Sequence, residues 1–102
     1  MNISKNYNKN ELTITVEGRI DTITSQDLEK EINSEIDNFN SLIMDFTDLE
    51  YISSAGLRVL ISTQKKLKAN NTSFIIKNIN DTIREIFRMS GFDKILTIKW
   101  IH

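Results

Sequence analysis

Residues 11–17, ELTITVE, alternate apolar and polar. Leu12, Ile14 and Val16 point one way and Thr13 and Thr15 the other, which predicts a strand with one buried face. The preceding NISKNY is a weaker strand, joined to it through the turn-prone NKN, so a hairpin is expected. Over 24–39 the period changes: Leu28, Ile32, Ile36 and Phe39 form one helical stripe, with Thr24 or Ser25 available as a cap. SLIMDF (41–46) is nearly all apolar and reads as a central strand covered on both faces. Helical period returns over 55–69, where Leu57, Leu60, Ile61, Gln64 and Leu67 share a face and Lys65, Lys66 and Lys68 suit the C-terminal end of the helix dipole. TSFIIK (72–77) is a further buried strand. Residues 81–89 make a short helix on Ile83, Ile86 and Phe87, capped by Asn80 or Asp81 and followed by Gly91; KILTIKWI (94–101) is a last strand. The order β-β-α-β-α-β-α-β predicts an α/β fold whose leading hairpin makes the sheet mixed. No linker, repeat or low-complexity segment interrupts the 102 residues, so a single domain over 1–102 is expected.

Composition narrows the function classes. Net charge is −1, which argues against a nucleic-acid binder and supplies no polybasic segment for an anionic membrane. There is no cysteine, so thiolate chemistry, disulfides and cysteine metal sites are excluded, and a cytoplasmic location is expected. The N-terminal MNISKNYNKN lacks the apolar core of a signal peptide, and no apolar run approaches the roughly 18 residues of a membrane span. The single histidine, His102, is the last residue and makes a poor base or ligand. Neither GxxxxGK[ST] nor GxGxxG occurs, and Asp45 and Asp48 alone do not make a metal site. No catalytic residue, metal or cofactor is expected, and the chain reads as a binding protein and not an enzyme.

One stretch resists a purely structural account. YISSAGLRVL (51–60) sets two hydroxyls, Ser53 and Ser54, into an apolar run at the start of a helix that opens near Ala55. That position is the C-terminal side of the sheet, where sites of open α/β folds tend to lie. Either serine can be the helix cap. Gly56 falls in the first helical turn, where it costs up to about 1 kcal/mol relative to Ala; a close approach of another protein's backbone is one reason for it. Ile52, Ala55 and Leu57 surround the hydroxyls, either as an interaction patch or as core. Arg58 lies four residues beyond Ser54, off the apolar stripe. It is a solvated residue, a partner in cis for an anion at Ser54, or a contact to another protein.

The run Leu49-Glu50-Tyr51-Ile52-Ser53-Ser54-Ala55-Gly56-Leu57 resembles the signature of the STAS-domain anti-sigma factor antagonists of bacteria. VEGRID (16–21), LIMDFTDLEYI and IFRMSGFDKIL (86–96) agree with the same family, so the resemblance covers nearly the whole chain. It implies a single STAS-like domain. Because the chain stops soon after its last strand, the C-terminal helix usual in the family is expected to be short or absent. It also implies a partner switch: such proteins bind an anti-sigma factor that is also a serine kinase, freeing the sigma factor, until the kinase phosphorylates one serine of the motif and a serine phosphatase reverses it. The matching phosphoacceptor is Ser54, with Ser53 as second choice; many members carry Asp where this chain has Ser53. The expected partner surface comprises Asp21, which matches an aspartate of the family's motif, the motif residues Ile52, Ser53, Ser54, Ala55, Gly56 and Leu57, and Arg58, placed there by its helical spacing from Ser54; the protein is expected to work as a monomer or weak dimer. For Asp21 a capping role in the following loop or helix is the alternative. The competing function is that of a STAS subunit in a transport, lipid-trafficking or other sensory complex.

Overall fold

The computed structural model describes residues 1–95 and the backbone of 98–99. The hairpin forms as the alternation requires: β1 (Asn2–Asn8) pairs antiparallel with β2 (Glu11–Ile20), with Asn8 opposite Glu11. The remaining pairings are parallel. The lower half of β2 (Glu11–Thr15) lies beside β3 (Ser41–Asp45), β3 beside β5 (Ser73–Lys77), and β5 beside the short β6 (Ile98–Lys99). The sheet order is β1-β2-β3-β5-β6, mixed as expected.

One strand went unread in the sequence. Residues Leu49–Ile52 form β4, which pairs parallel with the upper half of β2. β2 changes partner at a register shift between Gly18 and Arg19. Gly18 adopts φ +89°, a conformation that side chains with a Cβ rarely take, and its N–H donates to the Asp48 carbonyl at 3.0 Å. A ten-residue strand thus serves two shorter ones in series.

The helices cover one face. Leu12, Ile14, Val16, Leu42, Met44, Phe74 and Ile76 are buried and share a core with Leu28 and Ile32 of α1 (Thr24–Ser34), Leu57, Leu60 and Leu67 of α2 (Ser54–Ala69), and Ile83 and Phe87 of α3 (Asp81–Ser90). The alternate strand positions, Thr13, Thr15, Ile43 and Ile75, are only half-buried. SLIMDF is therefore covered fully on one face and not on both; Ile43 carries the apolar run onto the open side. At the edge, Tyr7 and Lys5 of β1 fall on the helix side. Tyr7 donates to Glu35 Oε1 at 3.0 Å and Lys5 pairs with Glu31.

The first helix is shorter than the predicted 24–39. It ends at Ser34, and Ile36 and Phe39 pack against the core from the segment that follows, Phe39 buried. Helix α2 begins at Ser54, one residue earlier than expected, and buries Val59 and Thr63 besides the predicted stripe, while Ile61 and Gln64 are half-buried. Asn80 is the cap of α3: its Oδ1 accepts from Ile83 N–H at 2.9 Å, and its amide donates to the Leu49 carbonyl at 2.7 Å, tying α3 to β4. Gly91 ends α3 in the left-handed region. The strand expected over 94–101 does not include Lys94, which closes a 3-10 turn, Phe92–Lys94, and its described part is Ile98–Lys99. Residues 96, 97 and 100–102, including His102, lie outside the described residues.

Candidate functional site

Ile20 pairs with Ile52, so Asp21 and Ser53 leave the sheet side by side at the C-terminal ends of β2 and β4. Ser53 N–H still donates to the Ile20 carbonyl at 2.8 Å, which fixes the two exits together. The β2–α1 and β4–α2 junctions thereby form one surface, which neither sequence segment discloses alone.

Ser53 is the cap of α2. With ψ 170° it is extended, its Oγ accepts from Gly56 N–H at 3.2 Å, and its carbonyl accepts from Leu57 N–H at 2.9 Å. Ser54 is the first helical residue. It is exposed, and its Oγ has no hydrogen-bond partner among the described residues. The adjacent serines divide the work: one hydroxyl holds the helix start and the other stands in solvent.

Asp21 is exposed and caps the first turn towards α1. Its Oδ1 accepts from Ile23 N–H at 2.9 Å and Thr24 N–H at 2.8 Å, while Thr24 Oγ1 accepts from Asp21 N–H at 2.8 Å. Capping by Thr24 or Ser25, as the sequence suggested, is thus replaced by a reciprocal Asp21–Thr24 box; Ser25 is buried and its hydroxyl donates to the Thr22 carbonyl at 2.9 Å. The bonds from Thr24, backbone first, with that from Ile23, hold the Asp21 carboxyl below its ordinary pKa. It is a fixed negative charge at the end of β2, whose exit neighbours that of β4 at Ser53.

The apolar residues of the motif face inward. Ile52 and Leu57 belong to the core. Gly56 is buried, and a Cβ there would come within 2.7 Å of Ile20 Cγ2 and of Ile52 Cγ1. The close approach that requires glycine is made by the protein's own strands β2 and β4, not by a partner's backbone, which corrects the sequence expectation. Ile52, Gly56 and Leu57 thus seat the helix start. The exposed surface consists of Asp21, Ser54 and Arg58, with Ser53 and Ala55 half-buried.

Two features of this surface escaped the sequence reading. Ile23 is 75% exposed, an isoleucine thrust into solvent within the Asp21 turn. Its only signal was its position between two threonines, off any stripe. Arg19 lies over the Tyr51 ring at 4.6 Å, across the register shift; the pair follows from β4, which the sequence did not disclose. Among the described residues no group of His, Asp or Glu could hold a metal ion, and no helix is long and apolar enough to cross a membrane.

The chain belongs to the STAS domain family: the family model matches residues 2–101. It is 30% identical over 88 residues to BtrV of Bordetella bronchiseptica, assigned as an anti-sigma factor antagonist, covering 85% of this chain and 76% of that one. It is 24% identical over 98 residues to the anti-sigma-B factor antagonist of Bacillus subtilis, covering 96% and 90%. The unphosphorylated form of the anti-sigma factor antagonist SpoIIAA superposes with a TM-score of 0.86 at 18% identity, over 99% of this chain and 89% of that one. The phosphorylated form of the Bacillus SpoIIAA superposes with a TM-score of 0.79, over 99% and 92%. At that identity the likeness shows the fold.

Proposed function

We propose that this protein is an anti-sigma factor antagonist, a regulatory binding protein and not an enzyme, switched by phosphorylation of Ser54. The observation that carries the reading is the exposed Ser54 hydroxyl, without a hydrogen-bond partner among the described residues, beside a cap supplied by Ser53. In its free form the protein binds an anti-sigma factor in the cytoplasm, as a monomer or weak dimer, and the sigma factor is released. The anti-sigma factor is also a serine kinase. Ser54 Oγ attacks the γ-phosphorus of the kinase's ATP; the new O–P bond replaces the one to ADP, and the hydroxyl proton passes to a base on the kinase. A serine phosphatase hydrolyses the ester and resets the switch.

The phosphate adds about −1.5 to −2 charges at neutral pH. At a helix N-terminus that charge is favoured by roughly 0.3–1 kcal/mol, so the fold tolerates it. Inside an interface the same charge must lose its water, which costs binding instead. A loss of about 3 kcal/mol lowers affinity roughly a hundredfold. Asp21 and Arg58 flank the serine as polar contacts to the partner.

Incubation with the cognate kinase and ATP, followed by site mapping by mass spectrometry, tests the reading. Phosphate on Ser54 is expected, with Ser54→Ala refusing it. Phosphate on Ser53 alone, or none, would overturn the assignment, and a stable complex with a membrane transporter subunit would favour a STAS role in transport.

A further inference from the structure

The outer face of α2 continues away from Ser54 as a stripe. Ser54, Arg58, Ile61, Ser62 and Lys65 recur at helical spacing opposite the buried Leu60, Thr63 and Leu67. Beside the stripe stands Phe92 of the 3-10 turn, half-buried against the core like Ile61. Between them runs an open groove of about 440 Å³, lined by Arg58, Ile61, Ser62, Lys65, Lys66 and Phe92. Its floor is apolar and its three charged lining residues are all cations. Among the described residues Arg58 and Lys65 have no ion-pair partner, and Lys66 donates only to the neutral Asn33 amide, at 3.3 Å.

Resting on the reading above, we propose that this groove is the second half of the anti-sigma factor contact and receives an acidic segment of that partner carrying a large apolar side chain. Three cations with no carboxylate among the lining residues, in a chain of net charge −1, complement a local negative partner. Ile61 and Phe92 offer the apolar seat such a segment anchors in. From Ser54 to Lys65 the helix rises about 16 Å at 1.5 Å per residue. A standard interface takes about 20–30 residues a side, whereas the junctions expose chiefly Asp21, Ile23, Ser54 and Arg58, so the contact extends over a neighbouring surface. Arg58 belongs to both halves: it borders the groove and lies one turn from Ser54. A phosphate on Ser54 therefore competes for its guanidinium with the partner's carboxylates.

Other occupants fit less well. Three cations fall short of the six to ten phosphate contacts typical of DNA binding. The apolar residues lie in a groove and do not project as a membrane anchor would. A twofold contact of two copies through this stripe would set like charges against each other.

The test titrates the cognate anti-sigma factor with wild type, Lys65→Glu/Lys66→Glu, Lys65→Gln and Ser54→Asp at low and high salt, with circular dichroism to confirm folding. The double reversal is expected to bind at least tenfold more weakly with a flattened salt dependence, and Lys65→Gln to bind severalfold more weakly. Wild-type affinity in both lysine variants, with Ser54→Asp weakened, overturns the groove proposal alone. Failure of wild type to bind overturns the functional reading and this proposal together. Wild-type binding to phosphatidylserine vesicles, or a wild-type dimer dissociated by the double reversal, in place of the lost partner affinity, would also overturn it.

Discussion

Gly56→Ala adds one methyl group at the point where α2 crosses β2 and β4. The new carbon would sit 2.7 Å from Ile20 Cγ2, 2.7 Å from Ile52 Cγ1 and 3.2 Å from Ile52 Cδ1. Carbon atoms in contact prefer about 3.5–4.0 Å, so two overlaps approach about 1 Å. Neither neighbour can swing aside. Both isoleucines are fully buried, their clashing γ carbons are bonded directly to Cβ, and β-branched side chains hold χ1 stiffly. Relief must come from lifting the helix start. Overpacking of this kind costs about 1–3 kcal/mol, while replacing a helical glycine by alanine returns about 1 kcal/mol. The expected net effect is a loss of about 1 kcal/mol. Urea unfolding reads it directly: the midpoint falls by about 0.5 M with an unchanged slope, and thermal unfolding drops by roughly 4–8 °C. A variant more stable than wild type would mean that the glycine faces open space and that only helix propensity is at stake, against its close packing on Ile20 and Ile52.

The two serines are expected to separate in the same assay: Ser53→Ala loses the cap and about 1 kcal/mol, whereas Ser54→Ala stays within about 0.5 kcal/mol of wild type. Asn80→Ala removes both the α3 cap and the amide bond to Leu49 and is expected to cost about 1–2 kcal/mol. The Asp21 carboxyl is held low by its bonds from Thr24 and Ile23; at Asp45 burial pushes upward, but bonds from Thr47 and Asn78 and the charge of Lys77 outweigh it. Folded carboxyls held below their unfolded values add stability that is complete above about pH 4 and lost as pH falls through the folded value. Acid unfolding of Asp21→Asn is therefore expected to show a shallower decline below pH 4 than wild type; an unchanged acid limb would remove Asp21 from the cap.

The parts of the fold that were legible in the sequence are those where one period acts alone. Leu12, Ile14 and Val16 alternate cleanly, and Ile83, Ile86 and Phe87 hold one helical face, and both elements form where expected. The failures lie where two signals overlap. Ile36 and Phe39 continue the α1 stripe in spacing, yet they reach the core from beyond the helix end. β4 shows Leu49 and Ile52 buried around exposed Glu50 and Tyr51, a spacing of three that belongs to a helix and not to the alternation of a strand. It exists because Gly18 lets β2 shift register and pair twice. At the site, the serine pair and its neighbourhood were visible, but the division of roles was not. Which serine caps depends on where the helix begins, and a shift of one residue exchanges the two hydroxyls. The proximity of Asp21 to Ser53 depends on the β2–β4 pairing and could not be read without it.

A phosphate on Ser54 is expected to release the partner while leaving the domain folded. Isothermal titration of the anti-sigma factor with the unphosphorylated protein and with protein phosphorylated on Ser54, alongside urea unfolding of both forms, tests it most directly. The phosphorylated form is expected to bind at least a hundredfold more weakly, with unfolding midpoints that match or slightly favour that form. Equal affinities, or a loss of binding matched by a collapse in stability, would contradict it.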